Sequence, residues 1–404
     1  MGYRVATLGE LSLDNGKYGI AASAVDFDTE LPAYLRITDI NDDGTLNKLD
    51  RKSVNDPSAC KYMLSEGDIV FARTGNSTGR NYFYDPRDGK FAFAGFLVKF
   101  SLDASKVNPR FVKYYAQSRA YWDWVASFKT GSTRGNINAK TYAQMPIPLP
   151  ERSAQNSIVA LCDCISDKIR INAQLNGYLE ELVDALFCEM VLGAVDSSKT
   201  VSFSSFLEER KEKCPSRTNA EYSVTDTGIH PRSLKFRKNL SATSSKNKIA
   251  RKDDLVFGIS RRILNWGLFD AEIGEVSSAY RVYSISGVPP EYVARYIARY
   301  QCAFTDIIKP SSREGQGIMP DALMTKKLPK LNSFAWEKYL DTVAPIKALA
   351  SITRTETAAL LKSRDSILPK LMSGEIDVSK IDLAKLNSHL VERRHSPLQL
   401  HDCR

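Results

Sequence analysis

The stretch Gly67-Asp68-Ile69-Val70-Phe71 occurs a second time, in altered form, as Asp253-Asp254-Leu255-Val256-Phe257, 186 residues further on. Three more matches follow in the same order, at offsets of 179 and 181: Ser132-Thr133-Arg134 with Ser311-Ser312-Arg313, Ile137 with Ile318, and Pro148 with Pro329. Matches that keep their order and nearly keep their offset indicate an internal repeat. We therefore predict that the 404-residue chain is a tandem duplication with a unit of about 180 residues.

A long helical segment follows the matched motifs in both copies. Residues 153–191 contain no Pro and one Gly, and a seam of residues recurs in alternating steps of three and four, as in a coiled coil. The first seam comprises Ile158, Leu161, Ile165, Lys168, Asn172, Leu175, Leu179, Leu182 and Leu186. The second helix is expected from about Trp336 to Met372, with a similar stripe of Val343, Ile346, Ala350, Leu360, Ile367 and Leu371.

The predicted length of the first helix determines how it can pack. A helix over residues 153–191 would be about 58 Å long, too long to fold away inside a small domain. We expect it to pair with the second helix; the alternative is that each helix lies on its own domain. Pro345 should kink the second helix or mark its true start, and Pro369 and Gly374 should close it.

The segments before the helices are predicted to be rich in β-structure. Residues 67–72 (GDIVFA) and 89–101 (GKFAFAGFLVKFS) are apolar runs bounded by turn-forming residues, which is typical of strands. Residues 109–125 carry aromatic side chains at helical spacing, and residues 289–304 are their counterpart. Such a stripe on a helix usually faces a core rather than a ligand.

The composition indicates a folded chain with a segregated charge. Apolar residues make up 43% of the sequence, and no stretch has the apolar length of a signal peptide or a membrane span. The seven scattered cysteines favour reduced thiols in a cytoplasm. The net charge is +9, yet residues 1–68 carry −5, residues 69–150 carry +8, and residues 232–262 hold ten basic residues against two acidic ones. Two basic regions suggest two contacts with a polyanion, or simply two solvated lysine-rich faces.

The ordered motifs Thr7-Leu8-Gly9-Glu10, Gly67–Gly75, Gly131–Ile137 and Pro146-Ile147-Pro148-Leu149-Pro150, each copy ending in a long helix, resemble the specificity subunit of type I restriction-modification enzymes. The resemblance spans roughly residues 5–376. The second copy departs from the pattern at Phe257–Arg262 and at Leu328-Pro329-Lys330.

The resemblance implies an α+β fold with two β-rich target-recognition domains, separated by two long antiparallel helices that form a coiled coil, and an internal pseudo-twofold repeat. The expected boundaries are recognition domains at 1–150 and 196–335, spacer helices at 151–195 and 336–376, and a polar tail at 377–404. It further implies a noncatalytic subunit that binds double-stranded DNA and docks two methyltransferase subunits, and restriction and motor subunits through them. S-adenosylmethionine, ATP and Mg would be bound by those partners, and this chain would hold no metal and no catalytic residue.

The candidate DNA-binding residues lie on polar, basic loops. Guanidinium, hydroxyl and amide groups can contact phosphates or base edges, and glycines permit a close backbone approach; a polar hairpin of any β protein is the alternative. In the first copy the candidates are Arg73, Thr74, Asn76, Ser77, Arg80, Lys129, Ser132, Thr133, Arg134 and Asn136. In the second copy they are Arg232, Lys235, Arg237, Lys238, Arg261, Arg262, Lys309, Ser311, Ser312, Arg313 and Gln316, with Trp266 a weaker stacking candidate.

The enzyme interpretations lack their motifs. The sequence has no Gly-x-x-x-x-Gly-Lys-Ser/Thr loop for ATP and no Asn/Asp-Pro-Pro-Tyr/Phe motif for amino methylation. Cys162 and Cys164 on one helix cannot aim both thiols at one metal ion. Two alternatives stay open: a recognition subunit of a related fused methyltransferase-nuclease restriction system, and a helical scaffold that binds only proteins.

Overall fold

The computed structural model describes residues 3–47, 50–128, 135–214, 219–235, 246–260, 263–309 and 317–378. The chain divides into two compact units. Unit 1 comprises Met1–Gln174 and Ile352–Arg404, and unit 2 comprises Leu175–Ser351. Both units combine helices with β-sheets, so the chain is a mixed helix and sheet protein.

Unit 1 holds short strands and helices, followed by the first long helix. The strands in its described part are β1 (Arg4–Thr7), β2 (Lys17–Tyr18), β3 (Ala24–Asp26), β4 (Ala33–Leu35), β5 (Lys52–Val54), β6 (Asp68–Ala72), β7 (Asn81–Phe83), β8 (Phe91–Phe93), β9 (Leu97–Ser101) and β10 (Pro146–Leu149). The helices are α1 (Pro109–Tyr115), α2 (Arg119–Ala126), α3 (Ala139–Ala143) and α4 (Arg152–Leu186), which begins in unit 1 and ends in unit 2.

The predicted strand at residues 67–72 is the central strand β6. It pairs antiparallel with β9 on one side and β7 on the other, in a sheet of order β2-β9-β6-β7. Every β6 side chain is buried, as expected of an apolar run covered on both faces. A second sheet of order β3-β5-β4-β8 contains the parallel pair β4 and β8, and β1 pairs with β10.

The aromatic segment at residues 109–125 is part of the core of unit 1. It forms two helices rather than one, because the chain turns after Tyr115 and Ser118 caps α2 by accepting a hydrogen bond from the Tyr121 amide. Tyr114 and Tyr121 are fully buried in the same cluster as β6 and β9. The prediction that this stripe faces a core is therefore confirmed.

Unit 2 also combines short strands and helices. Its strands, in the part that the structure describes, are β11 (Thr200–Ser202), β12 (Leu207–Glu209), β13 (Tyr222–Thr225), β14 (Gly228–Pro231), β15 (Lys248–Arg251), β16 (Leu255–Phe257), β17 (Trp266–Leu268), β18 (Ile273–Val276), β19 (Arg281–Ile285) and β20 (Lys327–Pro329). The helices are α5 (Arg232–Lys235), α6 (Pro290–Arg299), α7 (Pro320–Met324) and α8 (Ser333–Ser373), which ends in unit 1. Unlike unit 1, unit 2 in its described part has β13 paired with β14 and β15 paired with β18 in two separate two-stranded sheets.

The central sheets of the two units have the same strand order. In unit 2 the order is β12-β19-β16-β17, and β16 pairs antiparallel with both neighbours as β6 does in unit 1. A buried aspartate is the first residue of β6 and directly precedes β16, and in both cases its carboxylate accepts a hydrogen bond from the amide three residues earlier. The distance is 2.8 Å from Ser65 to Asp68 and 2.8 Å from Arg251 to Asp254. The repeat therefore extends to individual hydrogen bonds.

The long helices differ from the predicted bounds at their ends. Helix α4 has 35 residues and continues into a π-helical turn at Phe187–Val191. Helix α8 has 41 residues and begins at Ser333, so Pro345 lies inside it and does not mark its start. Pro369 is also internal, and Gly374, with φ of +76°, follows the last helical residue.

Within each unit the segments of α4 and α8 pack against each other. In unit 1, Ile158 shares a core cluster with Leu371, and Asn172 Nδ2 donates to Glu356 Oε2 at 2.8 Å. The two segments of unit 1 therefore run antiparallel. In unit 2, Val183 of α4 shares a core cluster with Val343 of α8, and Phe187, in the π-helical turn after α4, contacts Tyr339 edge to face at 5.8 Å between ring centroids.

The predicted seam drifts off the buried face toward the end of α4. Ile158 and Asn172 are buried, but Leu182 is 46% exposed and the next residue, Val183, is buried instead. A straight α-helix turns about 20° per heptad away from a strict 3.5-residue repeat. Over the three and a half heptads from Ile158, this drift amounts to about 70°, more than half of the angle between successive residues, which fits the burial of Val183 in place of Leu182.

Candidate nucleic-acid interface

The predicted loop of unit 1 joins the central strand β6 to β7. The Gly79 amide donates to the Ala72 carbonyl at 3.0 Å, and the Ala72 amide donates to the Arg80 carbonyl at 2.8 Å. Residues Gly75–Ser77 form one turn of 3₁₀-helix at its tip. The loop is thus a continuation of the hairpin, and it has a defined backbone.

Two buried tyrosines hold the base of this loop. Tyr121 Oη donates to the Gly79 carbonyl at 2.5 Å, and Tyr142 Oη donates to the Ala72 carbonyl at 2.9 Å. Burial raises the pKa of both phenols well above the usual range, so both stay protonated and act as donors. The backbone at both ends of the loop is therefore held by hydrogen bonds from buried tyrosines.

The two predicted loops of unit 1 meet. Thr74 and Asn136 form a β-bridge, and Thr78 Oγ1 donates to the Gly135 carbonyl at 2.8 Å. Asn76 and Asn136 are exposed, whereas Ser77 is only 8% exposed and presents little of its side chain. Lys129, Ser132, Thr133 and Arg134 lie outside the described residues.

The two glycines of the loop have different roles. Both have positive φ, +75° for Gly75 and +94° for Gly79. A Cβ on Gly79 would lie 2.6 Å from Val125 Cγ1, while a Cβ on Gly75 would meet nothing within 4 Å. Close approach at Gly79 is therefore to the protein's own helix α2, and only Gly75 faces open space.

The two arginines at the ends of the loop are held differently. Arg80 Nε forms an ion pair with Asp42 Oδ1 at 2.7 Å, and its Nη1 donates to the Ile40 carbonyl at 3.1 Å. The Arg73 guanidinium lies over the ring of Tyr18, 4.9 Å from its centroid. Arg80 is thus neutralised within the protein, and Arg73 is not.

Two exposed aromatic residues beside Arg73 were missed from the sequence. Tyr18 lies under the guanidinium, and Phe96, which is 56% exposed, accepts a hydrogen bond on its carbonyl from the Arg73 amide at 3.0 Å. The Gly95-Phe96 pair between two apolar runs was the one available signal for Phe96. Tyr18 belongs to a strand of two residues, which has no readable pattern.

In unit 2 the corresponding loop joins β16 to β17. Ser260 is buried and accepts a hydrogen bond from the Asn265 amide at 2.8 Å, and Gly258 packs on Val224. Trp266 packs against the core of unit 2, which leaves less of its ring for stacking than predicted. Arg261 and Arg262, at the predicted tip, lie outside the described residues.

The other candidates of unit 2 are only partly described. Arg232 Nη1 donates to Ser223 Oγ at 2.8 Å, next to the hairpin of β13 and β14, and Lys235 ends α5. Lys309 is exposed, and its amide donates to the Gly317 carbonyl at 3.3 Å. The remaining candidates lie outside the described residues: Arg237, Lys238, Ser311, Ser312, Arg313 and Gln316.

Residues 7–181 match the family model of the type I restriction modification DNA specificity domain. It is 24% identical, over 163 residues, to the type I restriction enzyme HindI specificity subunit of Haemophilus influenzae. That alignment covers 38% of this chain and 35% of the relative, so the chain matches about a third of the relative's length.

Solved structures of such subunits are similar to this chain at low identity. A chain from a study of complex assembly and conformational transition of the type I R-M system has 15% identity and a TM-score of 0.44, covering 93% of this chain and 98% of its own. The S subunit from M. genitalium has 13% identity and a TM-score of 0.48, and the alignment covers 91% of this chain and 96% of that subunit. The HsdS subunit from Thermoanaerobacter tengcongensis has 14% identity and a TM-score of 0.32, and the alignment covers 93% of this chain and 97% of that subunit. None of the helices in the described ranges has the length and apolar character needed to span a membrane.

Proposed function

We propose that this chain is a noncatalytic DNA-specificity subunit of a type I restriction-modification enzyme, in which each unit reads one half of a bipartite target. The observation that carries the proposal is the repeated central sheet. The family match ends at residue 181, but unit 2 has the same strand order and the same buried aspartate as unit 1. Two copies of one scaffold with unlike loops suit two unlike half-sites.

Chemical groups suited to DNA lie on the loop after each central strand. In unit 1 the exposed amides of Asn76 and Asn136 and the guanidinium of Arg73 lie on adjoining loops. In unit 2 the sequence places Arg261 and Arg262 on the corresponding loop. Amide and guanidinium groups can pair with adenine and guanine edges in the major groove, and basic side chains contact phosphates.

The long helices are proposed to pair as an antiparallel coiled coil that sets the spacing of the half-sites. The recognition domains would be 1–150 and 196–335, and the spacers 151–195 and 336–376. Contacts between α4 and α8 segments within each unit support this pairing. Half-sites read in successive major grooves on one face of DNA lie about 34 Å apart.

The helices also carry exposed apolar residues suited to docking partners. In unit 1 these are Ile171 and Ile352; in unit 2, Tyr178, Leu182 and Leu349. Exposed apolar side chains on a helix favour a protein partner, and we assign them to methyltransferase subunits, through which restriction and motor subunits would join. S-adenosylmethionine, ATP and Mg would then be bound by those partners, in the cytoplasm.

A base-resolution methylation map of the host, with and without the gene, tests the proposal. We expect deletion to remove one split, asymmetric motif. Replacing residues 1–150 with the equivalent segment of another specificity subunit should alter one half of that motif, and replacing residues 196–335 should alter the other half.

Three outcomes would contradict parts of this proposal. An unchanged methylation map would reject the DNA-specificity function and favour the protein-binding scaffold. A change of both halves after a single exchange would reject separate reading by the two units. Co-purification with one fused methyltransferase-nuclease polypeptide would replace the multisubunit enzyme with the related fused system.

A further inference from the structure

Arg73 carries a cation that the described residues leave unneutralised. Its side chain is half-buried, and its Nε is covered by protein without any hydrogen-bond partner. No ion pair or hydrogen bond joins its guanidinium to any residue that the structure describes. By contrast, nearby Arg80 is paired with Asp42, and Arg87 forms an ion pair with Asp85.

An unsatisfied, partly buried guanidinium costs free energy in the unbound protein. Buried polar groups almost always have partners, so the orphaned Nε is an exception, and the unpaired Nη donors of the same guanidinium, which are not covered by protein, are available to an acceptor on a ligand. The ligand must be an acceptor because a guanidinium offers donors and accepts no hydrogen bond. This requirement excludes a purely apolar partner at this position.

The plane of the Arg73 guanidinium is held by Tyr18. The guanidinium carbon lies 4.9 Å from the centroid of the Tyr18 ring, which is the geometry of a cation–π contact. The ring is itself fixed twice, since Tyr18 pairs with Val98 in the sheet and its Oη accepts a hydrogen bond from the Ala139 amide at 3.1 Å. Tyr18 is therefore a positioning residue for Arg73.

We propose that Arg73, held flat on Tyr18, reads a guanine in the half-site bound by unit 1. This inference rests on the proposed DNA-specificity function. A guanidinium fork pairs with O6 and N7 of guanine in the major groove, and this contact requires a fixed plane. A phosphate contact requires only charge, which flexible exposed side chains supply equally well. The adjoining exposed amide of Asn136 is placed to contact the neighbouring base.

The test is selection of bound sequences from a randomised double-stranded DNA library by the purified full-length chain. We expect the unaltered chain to enrich a split motif with guanine at one position of the half-site read by unit 1. Arg73→Ala and Arg73→Lys should both lower the guanine preference at that position by roughly 10- to 100-fold and leave the other positions unchanged. Lysine keeps the positive charge but cannot form the two parallel hydrogen bonds of a guanidinium, so Arg73→Lys distinguishes recognition of the base from attraction by charge.

Variants of Tyr18 test its positioning role. Tyr18→Leu removes the ring and should relax the same single position, while Tyr18→Phe keeps the ring and should retain the preference. Arg119→Ala is the matched control, because Arg119 is 85% exposed on α2 and pairs with Asp123 at 3.6 Å. Its motif should equal that of the unaltered chain.

The outcomes separate this inference from the function on which it rests. If the unaltered chain enriches no motif, the proposed function fails and the inference fails with it. If it enriches a split motif that neither Arg73 variant changes, or if Arg73→Lys retains full guanine preference, the guanine contact is rejected and the function stands. Circular dichroism identifies a variant that fails to fold; in that case the Tyr18→Leu and Tyr18→Phe pair decides the inference.

Discussion

The loops that follow the central strands rest on different supports in the two units. In unit 1 the loop lies on helix α2, where Gly79 contacts Val125 and Tyr121 donates to the Gly79 carbonyl. In unit 2 the loop begins at Gly258, which packs on Val224 of the β13–β14 hairpin. The strand order and the buried aspartate are nevertheless the same. A duplicated sheet can thus keep its core while the surface at its end is rebuilt.

The helical segments of the two units also differ. In unit 1 the contact between α4 and α8 is polar, with Asn172 donating to Glu356 and Lys168 in an ion pair with the same carboxylate at 3.1 Å. In unit 2 the contact is aromatic, between Tyr339 of α8 and Phe187 in the π-helical turn that follows α4. Polar groups in a helix seam restrict register and cost stability, while aromatic contacts mainly stabilise. The polar contact in unit 1 is therefore expected to fix the register of the two helices, and the aromatic contact in unit 2 is expected mainly to stabilise their packing.

The largest effect is expected at the buried aspartate that the units share. Asp68 accepts hydrogen bonds from Ser65, Lys99 and Ser101, and Asp254 forms an ion pair with Arg210 at 2.7 Å. Replacing Asp68 with Ala removes the ion pair of Lys99, and replacing Asp254 leaves Arg210 with only a 4.0 Å contact to Glu212. The free energy of unfolding should fall by about 3–5 kcal/mol for each variant, measured by urea denaturation.

Asp123→Ala is the control for this pair of variants. Asp123 is exposed on α2, where it pairs with Arg119, so its loss should change stability by less than about 0.5 kcal/mol. If Asp68→Ala lowers the free energy of unfolding strongly and Asp254→Ala lowers it as little as the control does, the two aspartates do not make equivalent contributions to the stability of their sheets.

The next effect distinguishes the supports of the loops. Gly79→Ala combines a strained positive φ with a clash against Val125, so it should destabilise the protein by about 2–3 kcal/mol. Gly75→Ala, with positive φ and open space, should cost about 1 kcal/mol. Urea denaturation measures both. Equal losses of unfolding free energy for the two variants would show that helix α2 shifts to accommodate the added methyl group and does not support the loop rigidly.

A smaller effect tests the polar contact between the helices of unit 1. Asn172 is 1% exposed, and its Nδ2 lies 2.8 Å from Glu356 Oε2. Asn172→Ala removes this bond but leaves Lys168 to pair with Glu356, so we expect a loss of about 1–2 kcal/mol. Gln174→Ala, at an exposed site on the same helix, is the matched control. If Asn172→Ala instead raises the free energy of unfolding, the amide does not stabilise the protein and only fixes the register of the two helices.

The sequence allowed the repeat and both long helices to be predicted, because these depend on local patterns. Apolar runs predicted β6, and the three-and-four periodicity predicted α4. The exposure of Leu182 could not be read from a strict heptad, since the drift of a straight helix accumulates only over several turns. Helix α8 continues through Pro345 in spite of the missing backbone donor.

The site could be predicted only as two loops. That Thr74 and Asn136 adjoin depends on strand pairing over 62 residues, and the Tyr18–Arg73 contact depends on a strand of two residues. Neither has a local signal. Arg73 and Arg80 looked alike in the sequence, and they differ in the partners that the fold gives them: Asp42 and the Ile40 carbonyl for Arg80, and the Tyr18 ring for Arg73. Long-range packing therefore determines which cation is available to a ligand.

The smallest effect concerns acid stability. Hydrogen bonds from Arg87 lower the pKa of Asp85 to about 2 in unit 1. The pKa of Glu291 in unit 2 is also lowered: burial opposes the shift, but Lys347 and Arg295 outweigh it. A carboxylate with a lowered folded-state pKa stabilises the protein above its unfolded pKa, near 4, and this contribution disappears as the pH falls through the folded value.

Asp85→Asn should therefore cost about 1 kcal/mol at pH 6, after allowance for solvent screening, and much less near pH 2. Urea denaturation at both pH values measures the difference. Glu291→Gln should show a pH dependence of the same sign in unit 2. If the Asp85 variant and the unaltered chain lose stability in parallel from pH 6 to pH 2, the Arg87 contact does not persist in solution, and acid stability must then reside in other carboxylates of the unit.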